Sequence, residues 1–330
     1  MTEGTVSQDS LLGSLDSFSD NPSAFLALNK GNLHFTAPGL DGFVSYRESG
    51  RYLVQFGGPF ASEQDYIPLL KAFSAYARSR RRRVVAVQLQ TEDARRYIEH
   101  GYTVNQIGAS YAVDLSKFTL AGKKFVQLRN KVSRAHRAGL EVIEAQHDKV
   151  EEALTEIDGV WLRSKGKHTK ELEFLVGETG GPFQSSRRLF VGYIEGKPIG
   201  YISYSPSYGS RSGWLHDLSR RNPDSPPGVM EAINKAAILA FQEEGADWLH
   251  FGFTPFTGLN PELEQKGSSR AFGWFVQQLA QRGDSIYPAK TQLAYKEKWD
   301  PHLVIPEYVG FQGRARLNGF LHIMRASNAV

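Results

Sequence analysis

From residue 42 the chain alternates apolar and polar positions in short runs. Gly42-Phe-Val-Ser-Tyr-Arg-Glu and Arg51-Tyr-Leu-Val-Gln-Phe flank Ser49-Gly50. A period of two on either side of a turn pair predicts a β-hairpin. The spacing then lengthens: Tyr66 to Ala77 carries apolar residues at helical intervals, and Val84-Val-Ala-Val-Gln-Leu reads as a short buried strand. Asp93 to His100 is predicted as a helix closed by Gly101, and Ser110-Tyr-Ala-Val-Asp-Leu as another strand. Further on the same grammar returns. Leu189-Phe-Val-Gly-Tyr-Ile and Ile199-Gly-Tyr-Ile-Ser-Tyr flank Glu195-Gly-Lys-Pro, a second hairpin, and Trp214-Leu-His-Asp-Leu is a third strand. Val229, Met230, Ile233, Ala236, Ala237, Ala240 and Phe241 then form one apolar helix face. Gly245 stops that helix, and Trp248-Leu-His-Phe-Gly-Phe is a strand.

Hairpin, strand, helix, strand, helix, strand is an order that resembles the N-acetyltransferase-like (GNAT) fold, and here it occurs twice. The expected fold class is therefore α/β, in the layered α+β sense. It has two tandem GNAT-like lobes, each a mixed central sheet flanked by helices. The expected boundaries are a polar, Ser-rich flexible arm over residues 1–18, an N-terminal lobe over 19–140 and a C-terminal catalytic lobe over 141–330. A length of 330 residues suits two such units.

Composition narrows the chemistry. There is no cysteine, which excludes a thiolate nucleophile, a disulfide framework and Cys-ligated metal. The nine histidines include no HExxH pair and no acidic cluster has ligand spacing, so no cofactor and no metal are expected. A net charge of +4 allows a polyanionic partner without demanding one. No apolar run is long enough to cross a membrane, and Met1-Thr-Glu-Gly-Thr lacks the basic start of a signal peptide. A cytoplasmic location is the expectation.

The segment richest in chemistry is Gly213-Trp-Leu-His-Asp-Leu-Ser-Arg-Arg-Asn-Pro-Asp-Ser-Pro-Pro-Gly-Val-Met-Glu. A strand leads through a polar loop into a helix, with Asp224 and Ser225 as candidate caps and Pro226 or Pro227 suited to the first turn. Acetyl-CoA-dependent lobes place a Gly-rich loop there, so that backbone amides approach a pyrophosphate. Two prolines without N–H groups and an acid make a poor cradle.

His216 to Glu231 together with Trp248-Leu-His-Phe-Gly-Phe-Thr-Pro-Phe resembles the soluble domain of phosphatidylglycerol aminoacyl synthases. Further segments resemble it in the same order: Gly101-Tyr through Lys124, Leu128 to Leu140, Trp161-Leu-Arg-Ser-Lys, Glu173-Phe-Leu-Val-Gly and Tyr295-Lys-Glu-Lys-Trp-Asp-Pro. The likeness implies tandem GNAT-like lobes that take an aminoacyl group from charged tRNA and pass it to an amine or hydroxyl. It also implies functional roles for Asp217, Arg220 and a lysine of the Tyr295 segment, Lys296 or Lys298. Lipid-modifying members carry an N-terminal multi-helix membrane region that is not seen here, and Ser219 and Arg221 depart from the usual neighbours. The expected acceptor is therefore a soluble metabolite or peptide, with a lipid as the other possibility and peripheral membrane contact allowed.

An aminoacyl ester is already activated, so the enzyme need only align the reactants, stabilise an oxyanion and move one proton. Arg220, Lys296 or Lys298 can offset the developing charge. Asp217 can bind the aminoacyl ammonium or assist deprotonation. Plainer readings stand beside these. Asp217 and Arg220 can form a loop-fixing salt bridge, Lys296 and Lys298 can share a solvated strand face, and His216 and His250 read as packed core groups. Between Ala121 and Leu140 there are six cations and no acid: Lys123, Lys124, Arg129, Lys131, Arg134 and Arg137. Phe125, Leu128, Val132 and Ala135 give that segment a docking stripe, so its cations are the expected tRNA contacts, with an anionic membrane as the other partner. Arg78-Ser-Arg-Arg-Arg-Arg reads first as a solvated helix end. Two other classes compete: an acyl-CoA-dependent N-acyltransferase, and a non-catalytic RNA- or membrane-binding module.

Overall fold

Both expected hairpins form, and each closes on two residues. In a computed structural model, which describes residues 7–166, 170–282 and 289–330, Ser49 pairs with Tyr52 and Ile194 pairs with Lys197. In the second turn Glu195 and Gly196 both take positive φ, the conformation whose twist matches the flanking strands.

The described elements begin with α1 (Gln8–Phe18), β1 (Leu33–Phe35), β2 (Phe43–Ser49), β3 (Tyr52–Phe60), α2 (Glu63–Ser79), β4 (Arg83–Leu89), α3 (Thr91–Glu99) and β5 (Tyr102–Asp114). Then come α4 (Val126–Arg137), β6 (Glu141–Glu144), α5 (Glu151–Lys165), β7 (Arg188–Ile194), β8 (Lys197–Ser207) and β9 (Gly213–Arg221). The chain continues with α6 (Val229–Glu243), β10 (Trp248–Pro255), α7 (Arg270–Arg282), α8 (Ala289–Glu297), β11 (Leu303–Gln312) and α9 (Leu317–Ala326). The strands make one mixed sheet of eleven in the order β1-β2-β3-β4-β11-β5-β10-β9-β8-β7-β6.

Two halves of this sheet join where β5 pairs antiparallel with β10. In the first half, α2 and α3 cover one face through Leu69, Phe73 and Tyr97. The opposite face is covered by α1, α7, α9 and the turn of 3-10 helix at Ala24–Leu28. In the second half, α4 and α6 pack on one face through Leu128, Val132, Ile233 and Phe241, and α5 on the other through Leu154 and Ile157. Strand β11 returns from the end of the chain to lie between β4 and β5, pairing with β5 from Leu303 to Gln312. Residues 303–312 therefore complete the half of the sheet begun by residues 33–114.

Three local expectations are corrected. Residues 8–18 are not a loose arm but helix α1, capped by Ser7 and anchored by buried Leu11 and Leu15; residues 1–6 lie outside the described residues. Helix α6 starts at Val229 with Gly228 as its cap, so Asp224 and Ser225 do not cap it. Instead Ser225 donates to the Ile199 carbonyl, and Asn222 accepts from the Asp224 amide in a turn. Lys296 lies in the last turn of helix α8 and Lys298 in the turn that follows it, so the two do not share a strand face.

Candidate active site

Strands β9 and β10 run parallel but hydrogen-bond only from Gly213 to Leu215 against Trp248 to His250. Beyond that point both continue, β9 to Arg221 and β10 to Pro255, and they part. Each carries an irregularity where they separate. On β9, His216 faces Tyr204 and Leu218 faces Ser203, so Asp217 is the extra residue of a β-bulge. On β10 the register slips between His250 and Phe253, and Gly252 sits at φ 66°. Bulges re-aim side chains. In a regular strand Asp217 and Arg220, three apart, would point to opposite faces. The bulge turns Asp217 to the face that Leu218 and Arg220 share.

Asp217 is fully buried there. Its carboxylate lies 3.6 Å from Nε of Arg187, and both side chains have no exposed surface. Gly177 covers it: a Cβ at that glycine would stand 2.4 Å from the Asp217 carboxyl carbon, and the Gly177 amide donates to the Asp217 carbonyl. Burial pushes the Asp217 carboxyl up to about 6, with Arg187, Ser205 and Ser203 restraining the rise. These partners face the carboxylate without closing to good hydrogen bonds. Both carboxylate oxygens, the Ser203 and Ser205 hydroxyls and two nitrogens of Arg187 are buried and unpartnered. So dense a group of buried donors and acceptors facing one another without close hydrogen bonds is uncommon in a packed interior. Arg187 is otherwise fixed by Asn29, which accepts from Nη2 at 2.9 Å, by Glu178 at 3.7 Å and by the Phe25 ring.

Arg220 is 4% exposed and does not pair with Asp217. Its guanidinium lies 2.6 Å from Glu171 and 3.3 Å from Asp158 and stacks over Trp161. Burial alone would lower its pKa, but Tyr201, Asp158 and Glu171 more than offset that, so the charge is held firmly. Tyr201 donates to the other oxygen of Asp158 at 2.6 Å. The loop-fixing Asp217–Arg220 pair is thereby ruled out.

On the other side of the parting strands stands α8. Lys296 is buried, not on a solvated strand face, and its ammonium donates to the carbonyls of Gly252 at 2.6 Å and Phe253 at 3.2 Å. Burial lowers its pKa to about 7, with Glu307 on β11 pulling it back up. Glu307 is itself pushed up to about 7 by burial, held back by the Ser110 hydroxyl that donates to it and by Lys296. Burial thus pushes the two groups toward their neutral forms, and each one's charge opposes the other's shift. Lys298 instead reaches Glu231 at 3.0 Å, a carboxylate shared with Lys131 at 3.5 Å. Burial raises the Glu231 carboxyl, and the two lysines more than reverse it. Glu231 thus ties α4, α6 and the end of α8 together.

The two histidines are core groups, as expected. His250 bonds the Arg211 carbonyl at 2.8 Å, and burial lowers its pKa to about 4. His216 lies 3.3 Å from Asn234 among Tyr204, Phe251 and Tyr295, and burial holds it neutral with a pKa of about 3. On α4 the stripe of Phe125, Leu128, Val132 and Ala135 is buried. Its six cations divide. Arg129 donates to the carbonyls of Leu120 and Gly122, Lys131 joins Glu231, and Lys124 pairs with exposed Asp300. Lys123, Arg134 and Arg137 are exposed and pair with no carboxylate among the described residues.

Sequence reasoning missed Arg187, Glu178, Asp158, Glu171, Glu231 and Glu307. Two of these left a signal, an ionisable residue inside an otherwise apolar run: Glu231 in the first turn of α6, and Glu307 in Leu303-Val-Ile-Pro-Glu-Tyr-Val-Gly-Phe. Asp158 lies on helix α5 among other acids, Arg187, Glu178 and Glu171 lie outside regular elements, and all four gain meaning only from their contacts.

A family model described as phosphatidylglycerol lysyltransferase, C-terminal, matches residues 14–311. The phosphatidylglycerol lysyltransferase of Bacillus subtilis is 27% identical over 274 residues, 81% of this chain and 31% of that protein. One from Staphylococcus epidermidis is 24% identical over 295 residues, 86% of this chain and 33% of that protein. The chain thus spans about a third of the length of these curated relatives. Among solved structures, the L-PGS of Bacillus licheniformis superposes with a TM-score of 0.79 at 21% identity, covering 97% of each chain. The C-terminal domain of a candidate lysylphosphatidylglycerol synthetase from Agrobacterium fabrum gives 0.80 at 22%, covering 98% of this chain and 97% of that one. These two likenesses show the fold.

Proposed function

The chain belongs to the phosphatidylglycerol lysyltransferase C-terminal family, and from that premise we propose that it moves an aminoacyl group from a charged tRNA to the hydroxyl of an anionic phospholipid. The acceptor suggested by the relatives' names replaces the soluble metabolite or peptide favoured by the sequence alone. The observation that carries the reading is the parting of β9 and β10, which sets Asp217 and Arg220 on one side and Lys296 on the other. All three are buried, and the polar atoms around Asp217 are unmet.

The reaction exchanges one ester for another. The lipid oxygen attacks the aminoacyl carbonyl, a new C–O bond forms, and the bond to the terminal ribose breaks. The hydroxyl proton ends on the departing ribose oxygen. Lys296, with a pKa near 7, is matched to accept that proton and return it. Asp217, ionised above about pH 6, supplies the carboxylate for the aminoacyl ammonium. Arg220 keeps its charge throughout and balances negative charge at the site.

A feature of α6 argues against an acyl-CoA donor. Gly228 caps α6 against the backbone of α4, where a Cβ would stand 2.1 Å from the Lys131 carbonyl oxygen. The helix terminus that would cradle a pyrophosphate is thus packed against protein. The test separates chemistry from tRNA binding. Asp217→Asn and Arg220→Lys should each lower aminoacyl transfer by on the order of a hundred-fold or more with tRNA affinity essentially unchanged. Normal transfer by both variants would remove these residues from the site.

A further inference from the structure

The basic run that closes α2 does not end as an isolated solvated helix terminus. Arg78, Arg81 and Arg83 meet Arg314 and Arg316, from the turn between β11 and α9, around a concavity of about 650 Å³. All five are exposed, and none pairs with a carboxylate among the described residues. Glu48 is taken by Arg80 and Arg82 of the same run. From this concavity α9 leads off with Leu317 56% exposed and Leu321 37% exposed. Residues 317, 321 and 325 share one helix face, so exposed Arg325 extends the stripe. The inner face of α9 is anchored: Phe320 packs on Phe272 and Phe275 of α7. Trp274 of that neighbouring helix points outward, 64% exposed.

Helix α9 also connects this surface to the candidate site. It is about 15 Å long, and its far end is bonded to the segment that holds Arg220. The Ser327 carbonyl accepts from the Glu173 amide, and the Asn328 side chain donates to the Glu171 carbonyl. Glu171 is the carboxylate 2.6 Å from Arg220.

We infer that the outer face of α9, with the arginine concavity at its start, docks the protein on an anionic phospholipid surface. Guanidinium groups suit lipid phosphates. Exposed leucines in helical register and a tryptophan suit the boundary between headgroups and acyl chains. A nucleic-acid backbone would satisfy the arginines but gain nothing from Leu317 and Leu321. The choice of a lipid over an RNA partner rests on the lipid-acceptor reading of the neighbouring site. Docked this way, α9 would lie along the membrane surface, and its far end would bring the segment around Glu171 beside that surface.

The test uses the whole chain, without tRNA, in co-sedimentation with phosphatidylcholine vesicles and with vesicles of phosphatidylcholine mixed with phosphatidylglycerol. Wild type should partition to the mixed vesicles alone. Arg314→Glu combined with Arg316→Glu should weaken that partition by on the order of thirty-fold, and Leu317→Ser combined with Leu321→Ser should weaken it at any salt concentration. All four side chains are exposed, so both variants should melt with wild type and still transfer to a short-chain, water-soluble phosphatidylglycerol. Equal binding to both vesicle types by wild type, or undiminished binding by both variants, overturns the inference. Variants that keep vesicle binding but lose tRNA binding in a separate filter-binding assay assign the surface to RNA and overturn it equally. Vesicle binding with no aminoacyl transfer to any lipid would sink the functional reading and leave the docking surface standing.

Discussion

At the scale of single residues, the site is built from charges that the fold keeps out of water. Ionising Asp217 in the folded chain, with its pKa near 6, costs about 3 kcal/mol relative to an exposed carboxyl. Because the folded pKa lies above the unfolded one, that penalty is absent below about pH 4 and reaches its full size as pH rises past about 6. Asp217→Asn should therefore melt no lower than wild type at pH 8 while losing transfer, a combination that calorimetry and a labelled transfer assay check together. Lys296 carries the opposite shift, and in the proposed reaction its neutral form accepts the proton. The transfer rate should rise through about pH 7, and Lys296→Met should abolish both the activity and that limb of the pH profile. Glu307→Gln removes the charge that raises the Lys296 pKa, so the limb should move to lower pH. A limb that stays in place would dissociate Glu307 from the proton. Asp217, Arg220 and Lys296 were singled out in the sequence through the family resemblance, and their side chains are buried beside the parting strands. Their partners were not, because Arg187 and Glu171 belong to loops without periodicity and are defined by contacts distant in sequence.

At the scale of elements, hairpins and amphipathic helices were readable because their period and turn chemistry are local. The two devices that shape the site were not. A bulge leaves no period of its own, and the one at Asp217 follows from how β8 and β9 align. Lys296 was misread for a related reason: Tyr295-Lys-Glu-Lys-Trp alternates as a strand does, yet Tyr295 to Glu297 are the end of helix α8, which packs against β10. On α4 the docking stripe was legible, but the division of labour among its cations was not. Lys123, Arg134 and Arg137 are the candidates for phosphate contact. Replacing each with alanine should lower the salt dependence of tRNA binding by about one unit of log–log slope. Arg129→Ala and Lys131→Ala should instead lower thermal stability, since those side chains hold carbonyls and Glu231. Filter binding across a salt series and thermal melts separate the two groups.

At the scale of the whole molecule, the sheet makes the two halves interdependent. Strand β11 lies between β4 and β5 and brings Glu307 toward Lys296, so the proton at the site depends on the last strand of the chain. Removing residues 303–330 should leave β4 and β5 without a shared partner and prevent folding, which circular dichroism of the truncated chain would reveal. In the proposed reaction the aminoacyl group moves from charged tRNA to lipid. The most direct test of that transfer incubates the purified chain with tRNA carrying radiolabelled lysine and with phosphatidylglycerol vesicles, with and without ribonuclease, and then partitions the label between organic and aqueous phases. Label should appear in the organic phase, ribonuclease treatment of the donor should prevent it, and the Asp217→Asn chain should fail to produce it. Label that stays in the aqueous phase, or that reaches lipid only from an acyl-CoA, would contradict the proposed transfer.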